Sequence, residues 1–290
     1  MGTAYTRAVR SRPLLLPIAA ILVAMCSIQF GASLAKALFP VLGAIGATTL
    51  RLLLAALILG VLYRPWRGRP LAGSWPALLG YGAVLGLMNL FYYLALERIP
   101  MGIVVAIEFL GPLAVAIRAS HRKLDFLWIT LAVAGLLLLL PLTTDSPTLD
   151  PLGIGYALLA GVGWALYIVF GTRAGTDHGG RTVAIGMVVG AAVALPIGTI
   201  AAGSALLTLS ALPVALLVAV LSSALPYTLE MYAMTRMPTR TFGIFMSVEP
   251  ALAALVGLAM LGEQLAPLQW LAIGCVMLAS FGSALTSARA

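Results

Sequence analysis

Long apolar runs alternate along the chain with short clusters of Arg, Lys, Pro and Gly. A membrane-spanning helix needs about 20 consecutive apolar residues. Dividing the chain at its charged and Pro/Gly clusters predicts ten such runs, at 13–35, 43–63, 74–96, 100–119, 124–141, 151–172, 182–202, 211–234, 240–261 and 266–286. Only short loops lie between them, which leaves no room for a water-soluble catalytic domain. The first run follows Arg7, Arg10 and Arg12 and contains the small-residue stretch Ala32 to Ala35, as a secretory leader would. From Leu14 to Ala35 it is long for a leader core, so it is read as a retained first helix.

Composition follows the pattern. The 290 residues are 62% hydrophobic and 9% charged, against about 45–50% and about 25% in soluble domains. Both cysteines, Cys26 and Cys275, sit in apolar runs, and both histidines, His121 and His178, sit in predicted cytoplasmic loops. No disulfide framework, metal site or cofactor is predicted from them. The net charge of +8 would suit a nucleic-acid partner in a soluble protein, but its placement explains it otherwise. With the N-terminus inside the cell, cytoplasmic segments hold fourteen of the 17 Lys and Arg, the outer segments hold Lys36 and Arg98, and Arg51 lies within the second run. That is the positive-inside pattern. It predicts both termini in the cytoplasm, an even number of spans and no nucleic-acid partner.

The two halves repeat. Arg98 and Arg236 each stand two residues before a proline, and Pro100 and Pro112 recur as Pro238 and Pro250 at an offset of 138. Lys36 and Arg173 end the first and sixth runs at an offset of 137. This predicts five-helix repeats at 13–141 and 151–286, separated by the acidic loop from Thr143 to Pro151. Five is odd, so the second repeat enters the membrane from the opposite side. The predicted fold class is an all-α polytopic membrane protein of ten helices in two inverted five-helix repeats. Secondary transporters follow this plan and bind substrate near the midplane between the repeats.

An ionised side chain at the bilayer centre costs about 2.5–3.5 kcal/mol, so each one needs a reason. Glu108 and Glu249 fall near the middle of the fourth and ninth runs, and Glu230 about two turns from the cytoplasmic end of the eighth. Either they face a wet cavity and bind a cation, a proton or an amino group, or they pair structurally with Arg51, Lys36 or a neighbouring helix. Helical spacing puts Gln29, Ser33 and Lys36 on one face, and Ser223, Tyr227 and Glu230 on another. Asn89 stands over Tyr92 and Tyr93, and Trp164 over Tyr167. These stripes predict a cavity wall with Gln29, Asn89, Tyr92, Trp164 and Tyr227 as binding groups. The alternatives are polar contacts between helices and interfacial aromatic belts. Arg51 is read as structural, snorkelling to the interface or pairing with a carboxylate. Pro112 and Pro250 are either hinges or tolerated kinks. Gly82/Gly86 and Gly186/Gly190 are read as close helix packing.

The sequence has no Gly-x-x-x-x-Gly-Lys-Ser/Thr loop, no His-Glu-x-x-His, no Gly-x-Ser-x-Gly and no Thr-Val-Gly-Tyr-Gly filter. A secondary transporter is therefore predicted in preference to an ATP-driven pump, an enzyme or a channel. A membrane enzyme or scaffold is the rival class.

Several stretches together resemble a known family. They are Gln29 to Pro40 (QFGASLAKALFP), Thr49 to Leu52 (TLRL), Met88-Asn89, Glu108 to Val115 (EFLGPLAV), Trp164 to Ile168 (WALYI) and Leu225 to Glu230 (LPYTLE). The second repeat adds Arg236 to Gly243 (RMPTRTFG), Met246 to Ala251 (MSVEPA) and Leu261 to Glu263 (LGE). The chain resembles the drug/metabolite transporter superfamily with two EamA-type repeats and, within it, the bacterial threonine/homoserine exporter family. The resemblance implies a bacterial inner-membrane exporter of small amino acids driven by the proton gradient. It also implies a central cavity built from the first, third, fourth, sixth, eighth and ninth runs. Glu108, Glu230 and Glu249 lie within the matching motifs. In this reading Glu230 or Glu108 holds the substrate ammonium or exchanges it for a proton, and Gln29, Asn89 and Tyr227 hydrogen-bond the zwitterion. Tyr92, Tyr93 and Tyr232 favour an alternative in the same superfamily, an exporter of aromatic amino acids or other toxic metabolites. A gradient-independent facilitator is a further alternative.

Overall fold

The computed structural model describes residues 15–67, 75–118, 124–138, 149–175, 180–234, 236–237 and 239–287. Arg7, Arg10, Arg12, His121, His178 and Asp145 lie outside the described residues. The described residues are helical, without a strand. In the first half the helices are α1 (Leu15–Ala35), α2 (Phe39–Tyr63), α3 (Trp75–Leu96), α4 (Met101–Glu108), α5 (Leu110–Arg118) and α6 (Leu124–Leu138). In the second they are α7 (Pro151–Gly175), α8 (Gly180–Ala202), α9 (Leu212–Ala219), α10 (Leu225–Met234), α11 (Thr239–Met246), α12 (Glu249–Leu261) and α13 (Pro267–Ser287).

Six stretches are long and apolar enough to cross a membrane: Leu15–Tyr63, Trp75–Leu96, Pro151–Gly171, Arg181–Leu207, Leu209–Ala233 and Pro267–Leu285. Three shorter apolar helical stretches accompany them, Met101–Val115, Leu124–Leu138 and Glu249–Leu261. Large apolar side chains such as Leu57, Phe126 and Ile200 are exposed, while Gln29, Thr48, Arg51 and Glu249 are buried. A surface of this kind suits lipid rather than water. The stretch Leu15–Tyr63 is not one rod. A 3-10 turn at Lys36–Leu38 separates α1 from α2, and Gly43 bends the chain at φ 66°, where a Cβ would be strained. Gly43 is non-helical, so a short turn from Phe39 with Pro40 in it precedes the main part of α2, which starts where the sequence predicts the second run, at residue 43. Proline suits that turn because its missing N–H is not needed there.

Helices of the two halves pack against one another. α1 lies on α10, α2 on α8, α3 on α7 and α8, α4 on α7 and α12, α5 on α7, and α6 on α13. The α3–α8 contact is where the predicted glycines meet. A methyl group on Gly86 would lie 2.6 Å from the Gly190 carbonyl oxygen. Gly111 on α5 is tighter still, with a Cβ placed 1.9 Å from the Gly161 oxygen of α7. At both seams backbone touches backbone.

One end of the bundle is closed by ionic contacts. Lys36 Nζ donates to Glu263 Oε1 at 2.7 Å, and the Met101 N–H donates to Glu263 Oε2 at 2.8 Å. The junctions α1–α2, α3–α4 and α12–α13 thereby meet. Nearby, Arg98 donates to Asp150 at 2.7 Å. The other Asp150 oxygen accepts from the Leu152 N–H at 2.8 Å and caps α7, which starts at Pro151. The Arg98 hydrogen bond, with help from Leu152, holds the Asp150 carboxyl below the usual aspartate range. Leu38, Leu42, Leu96, Ile99 and Met101 belong to the apolar core in this part of the molecule.

Candidate functional site: a polar cavity between the halves

Three prolines shape the site. Proline has no N–H, so it cannot bond the carbonyl four residues before it. Pro226 leaves the Ser222 carbonyl without its helical donor, and the helix widens there into a π turn over Val220–Ala224. Pro112 does the same to Glu108, next to the break between α4 and α5, and Pro250 to Met246, next to the break between α11 and α12. Ser222, Glu108 and Met246 all line one cavity. Interrupted helices at matching places in two halves are where transporter sites are expected.

The cavity is half-open, and the space free of atoms in it, open mouth included, is about 650 Å³. Its polar wall includes Gln29 of α1, Asn89 and Tyr92 of α3, Glu108 of α4, Trp164 of α7, Tyr227 and Glu230 of α10, and Glu249 of α12. These are all the residues that the sequence nominated for binding or coupling, drawn from the six predicted runs. Arg51 of α2 joins them. Ile28, Met88, Val105 and Met246 supply apolar surface.

Gln29 is fully buried, and its Nε2 donates to Glu249 Oε1 at 3.2 Å. Glu249 lies within electrostatic reach of both Glu230 and Glu108. Arg51 donates through Nη1 to the Ser222 carbonyl at 3.3 Å and to Ser223 Oγ at 3.2 Å, and through Nη2 to Asn89 Oδ1. Its guanidinium sits 4.7 Å above the Tyr93 ring centroid. Asn89 Nδ2 donates to the Leu85 carbonyl at 2.8 Å, which fixes its amide. Trp164 meets Phe109 edge-on at 5.3 Å, and the Tyr81 hydroxyl donates to that of Tyr167 at 3.0 Å. Several buried polar atoms in this wall have no partner: Gln29 Oε1, Glu249 Oε2, Arg51 Nε and the Tyr92 and Tyr93 hydroxyls.

Known proteins match this chain along nearly all its length. The threonine/homoserine exporter RhtA of Escherichia coli K12 is 54% identical over 277 residues, covering 96% of this chain and 94% of its own. The chain belongs to the threonine/homoserine exporter family of EamA-like transporters. The EamA-like transporter family itself matches residues 151–285. A second family member, the threonine/homoserine exporter RhtA of Salmonella typhimurium, is 53% identical over 97% of this chain and 95% of its own. An uncharacterized inner membrane transporter of E. coli K12, YedA, is 29% identical over about half of each chain, 54% and 52%. A solved crystal structure aligns with 93% of this chain and 98% of its own at a TM-score of 0.63 and 18% identity, so it shares the fold.

Within this exporter-family chain, not every residue of the predicted stripes reaches the cavity. Lys36 turns away to Glu263, and Ser33 donates to the Phe30 carbonyl at 2.8 Å. Tyr232 lies under Arg236, 4.0 Å from its guanidinium. Among the described residues Glu108, Glu230 and Glu249 take part in no ion pair, so the structural pairing with Arg51 or Lys36 is not found. Sequence spacing also misplaced one serine. An α-turn would set Ser223 beneath Tyr227, but the π turn adds a residue and brings Ser222 to the wall instead. The signal was Pro226, four residues after Ser222.

Proposed function

We propose that this chain is a proton-coupled secondary exporter of small amino acids of the threonine and homoserine type, working by alternating access in a bacterial inner membrane. The observation that carries the reading is the single cavity in which Glu108, Glu230 and Glu249 meet Gln29, Asn89 and Tyr227. Three carboxylates against one arginine in an apolar shell repel one another, and an ammonium group or protons offset them. The likeness to the RhtA threonine/homoserine exporters supports the substrate class, and the likeness to the inner membrane transporter YedA supports the location.

In this reading the chain crosses the bilayer ten times, in inverted five-helix repeats at 13–141 and 151–286, with both termini in the cytoplasm. The helix packing supports it. Exchanging α1 with α7, α2 with α8, α3 with α9–α10, and α6 with α13 turns the α1–α10 contact into the α3–α7 contact. The same exchange returns α2–α8 and α6–α13 to themselves. On this orientation the Lys36–Glu263 and Arg98–Asp150 pairs close the outer side, and Glu230 faces the cytoplasmic approach. Export then requires the outer pairs to part as one repeat rocks against the other, with Pro112 and Pro250 at the bends.

The test is efflux of preloaded threonine and homoserine from proteoliposomes, with and without an imposed pH gradient. Faster efflux with the gradient is expected. Equal efflux in both conditions leaves a facilitator, and no efflux of either amino acid overturns the substrate assignment. A second reading rests on the aromatic wall of Tyr92, Tyr93, Trp164, Tyr167 and Tyr227. It predicts phenylalanine efflux in the same vesicles.

A further inference from the structure

Besides the Tyr92, Tyr93 and Ser222 hydroxyls, which can both donate and accept, the cavity's unpartnered groups fall into two chemical kinds. Arg51 is 2% exposed, and its Nε–H has no acceptor. Gln29 Oε1 and Glu249 Oε2 are buried acceptors with no donor, although the same two side chains are joined through their other atoms at 3.2 Å. Unpartnered buried polar atoms are costly in a transporter core, and the residues that carry these line one cavity. A molecule that satisfies both sets must accept hydrogen bonds at one end and donate them at the other.

We propose that Arg51 anchors the substrate carboxylate and that the Gln29–Glu249 pair seats its ammonium group, so that the site selects free zwitterionic amino acids. The inference rests on the exporter reading and adds the orientation of the substrate. It replaces the sequence-based view of Arg51 as a structural residue. A buried cation is costly unless an anion compensates it. Arg51 shares its cavity with three glutamates and pairs with none of them. Its partners are the Ser222 carbonyl, the Ser223 hydroxyl, the Asn89 amide and the face of Tyr93. All are neutral. They fix the plane of the guanidinium and leave it without a direct ionic partner. A planar guanidinium held in this way suits two-point binding of a carboxylate, which a lysine cannot reproduce. With Glu249 assigned to the ammonium, Glu108 and Glu230 are the carboxylates left to carry protons.

The experiment is counterflow of labelled threonine in proteoliposomes containing the full chain, with three unlabelled competitors. Threonine has both charges, threonine amide keeps only the ammonium, and N-acetylthreonine keeps only the carboxylate. In the wild type, each single-charge analogue is expected to compete at least tenfold more weakly than threonine. Arg51→Lys is expected to raise KM for threonine at least tenfold, and Arg51→Gln to abolish the preference for threonine over its amide. Equal competition by threonine and threonine amide in the wild type overturns the Arg51 assignment without any variant having to fold. Wild-type KM in Arg51→Gln overturns it as well. A wild type that transports neither threonine nor homoserine overturns the exporter reading, and this inference with it.

Discussion

The Lys36 end of the bundle and the cavity hold charge in opposite ways. At the first, Lys36 and Glu263 meet at 2.7 Å and the second Glu263 oxygen takes the Met101 N–H. Every charged atom named there has a partner. In the cavity, Arg51 binds only neutral groups, and Glu249 keeps one oxygen free. The two regions share α1, α3, α4 and α12, and the partly exposed Lys36 pair is complete where the more deeply buried cavity is not. What separates them is completeness. A satisfied polar network is rigid and specifies one arrangement, whereas an unsatisfied one is stable only with something in it. In the proposed reading the Lys36 end holds one conformation until its pair parts, and the cavity receives the ligand.

That contrast can be broken in steps. The largest effect is expected from Glu249→Gln, which removes a charge from the cavity while keeping its volume. Losing one side of a buried charged contact costs about 2–5 kcal/mol, so threonine counterflow should fall on the order of 100-fold, in protein that still elutes as a single folded species. Counterflow at the wild-type rate would move Glu249 to the structural side of the comparison. Gly111→Ala comes next, because its methyl group would sit 1.9 Å from the Gly161 oxygen. Overpacking of this kind costs about 1–3 kcal/mol, and thermal unfolding in detergent should register it as a clear loss of stability.

The Lys36–Glu263 pair should matter less to stability. Its side chains are 25% and 14% exposed, and screened pairs contribute about 1 kcal/mol or less. A double-mutant cycle with Lys36→Met and Glu263→Gln should still show a non-additive change in melting temperature; strict additivity would deny the coupling. The smallest effect belongs to the exposed Arg98–Asp150 contact. Arg98 lowers the Asp150 value in the folded state, so its stabilisation is present above the ordinary aspartate value and fades as pH falls through the lower folded one. Asp150→Ala should therefore narrow the difference between melting temperatures at neutral and strongly acidic pH. An unchanged pH dependence would leave Asp150 as a helix cap alone.

Much of this was legible in the sequence, for identifiable reasons. The apolar runs are long, and hydropathy reports burial in lipid directly. Gln29, Asn89 and Tyr227 were found because helical spacing carries side-chain direction, and the three glutamates because a charge in an apolar run is conspicuous. Other contacts depend on distance across the fold. Lys36 and Glu263 are 227 residues apart, and no local pattern joins them. Whether Arg51 is structural or meets the substrate turns on whether its neighbours are ionic or neutral, which a sequence does not show. Spacing alone puts Ser223 on the stripe because it assumes a uniform helix, and Pro226 makes the helix non-uniform.

The wide turn at Val220–Ala224 also governs how this protein tolerates changes in length. A π turn holds one residue more than an α-turn requires, so the chain carries a spare residue there. One deletion within 220–224 takes up that spare residue and leaves Tyr227 and Glu230 in phase with α9, while Pro226 still frees a carbonyl four residues before it. The same deletion placed between Tyr227 and Glu230 has no slack to consume. It turns the glutamate about 100° around the helix axis relative to the tyrosine, out of the wall they share.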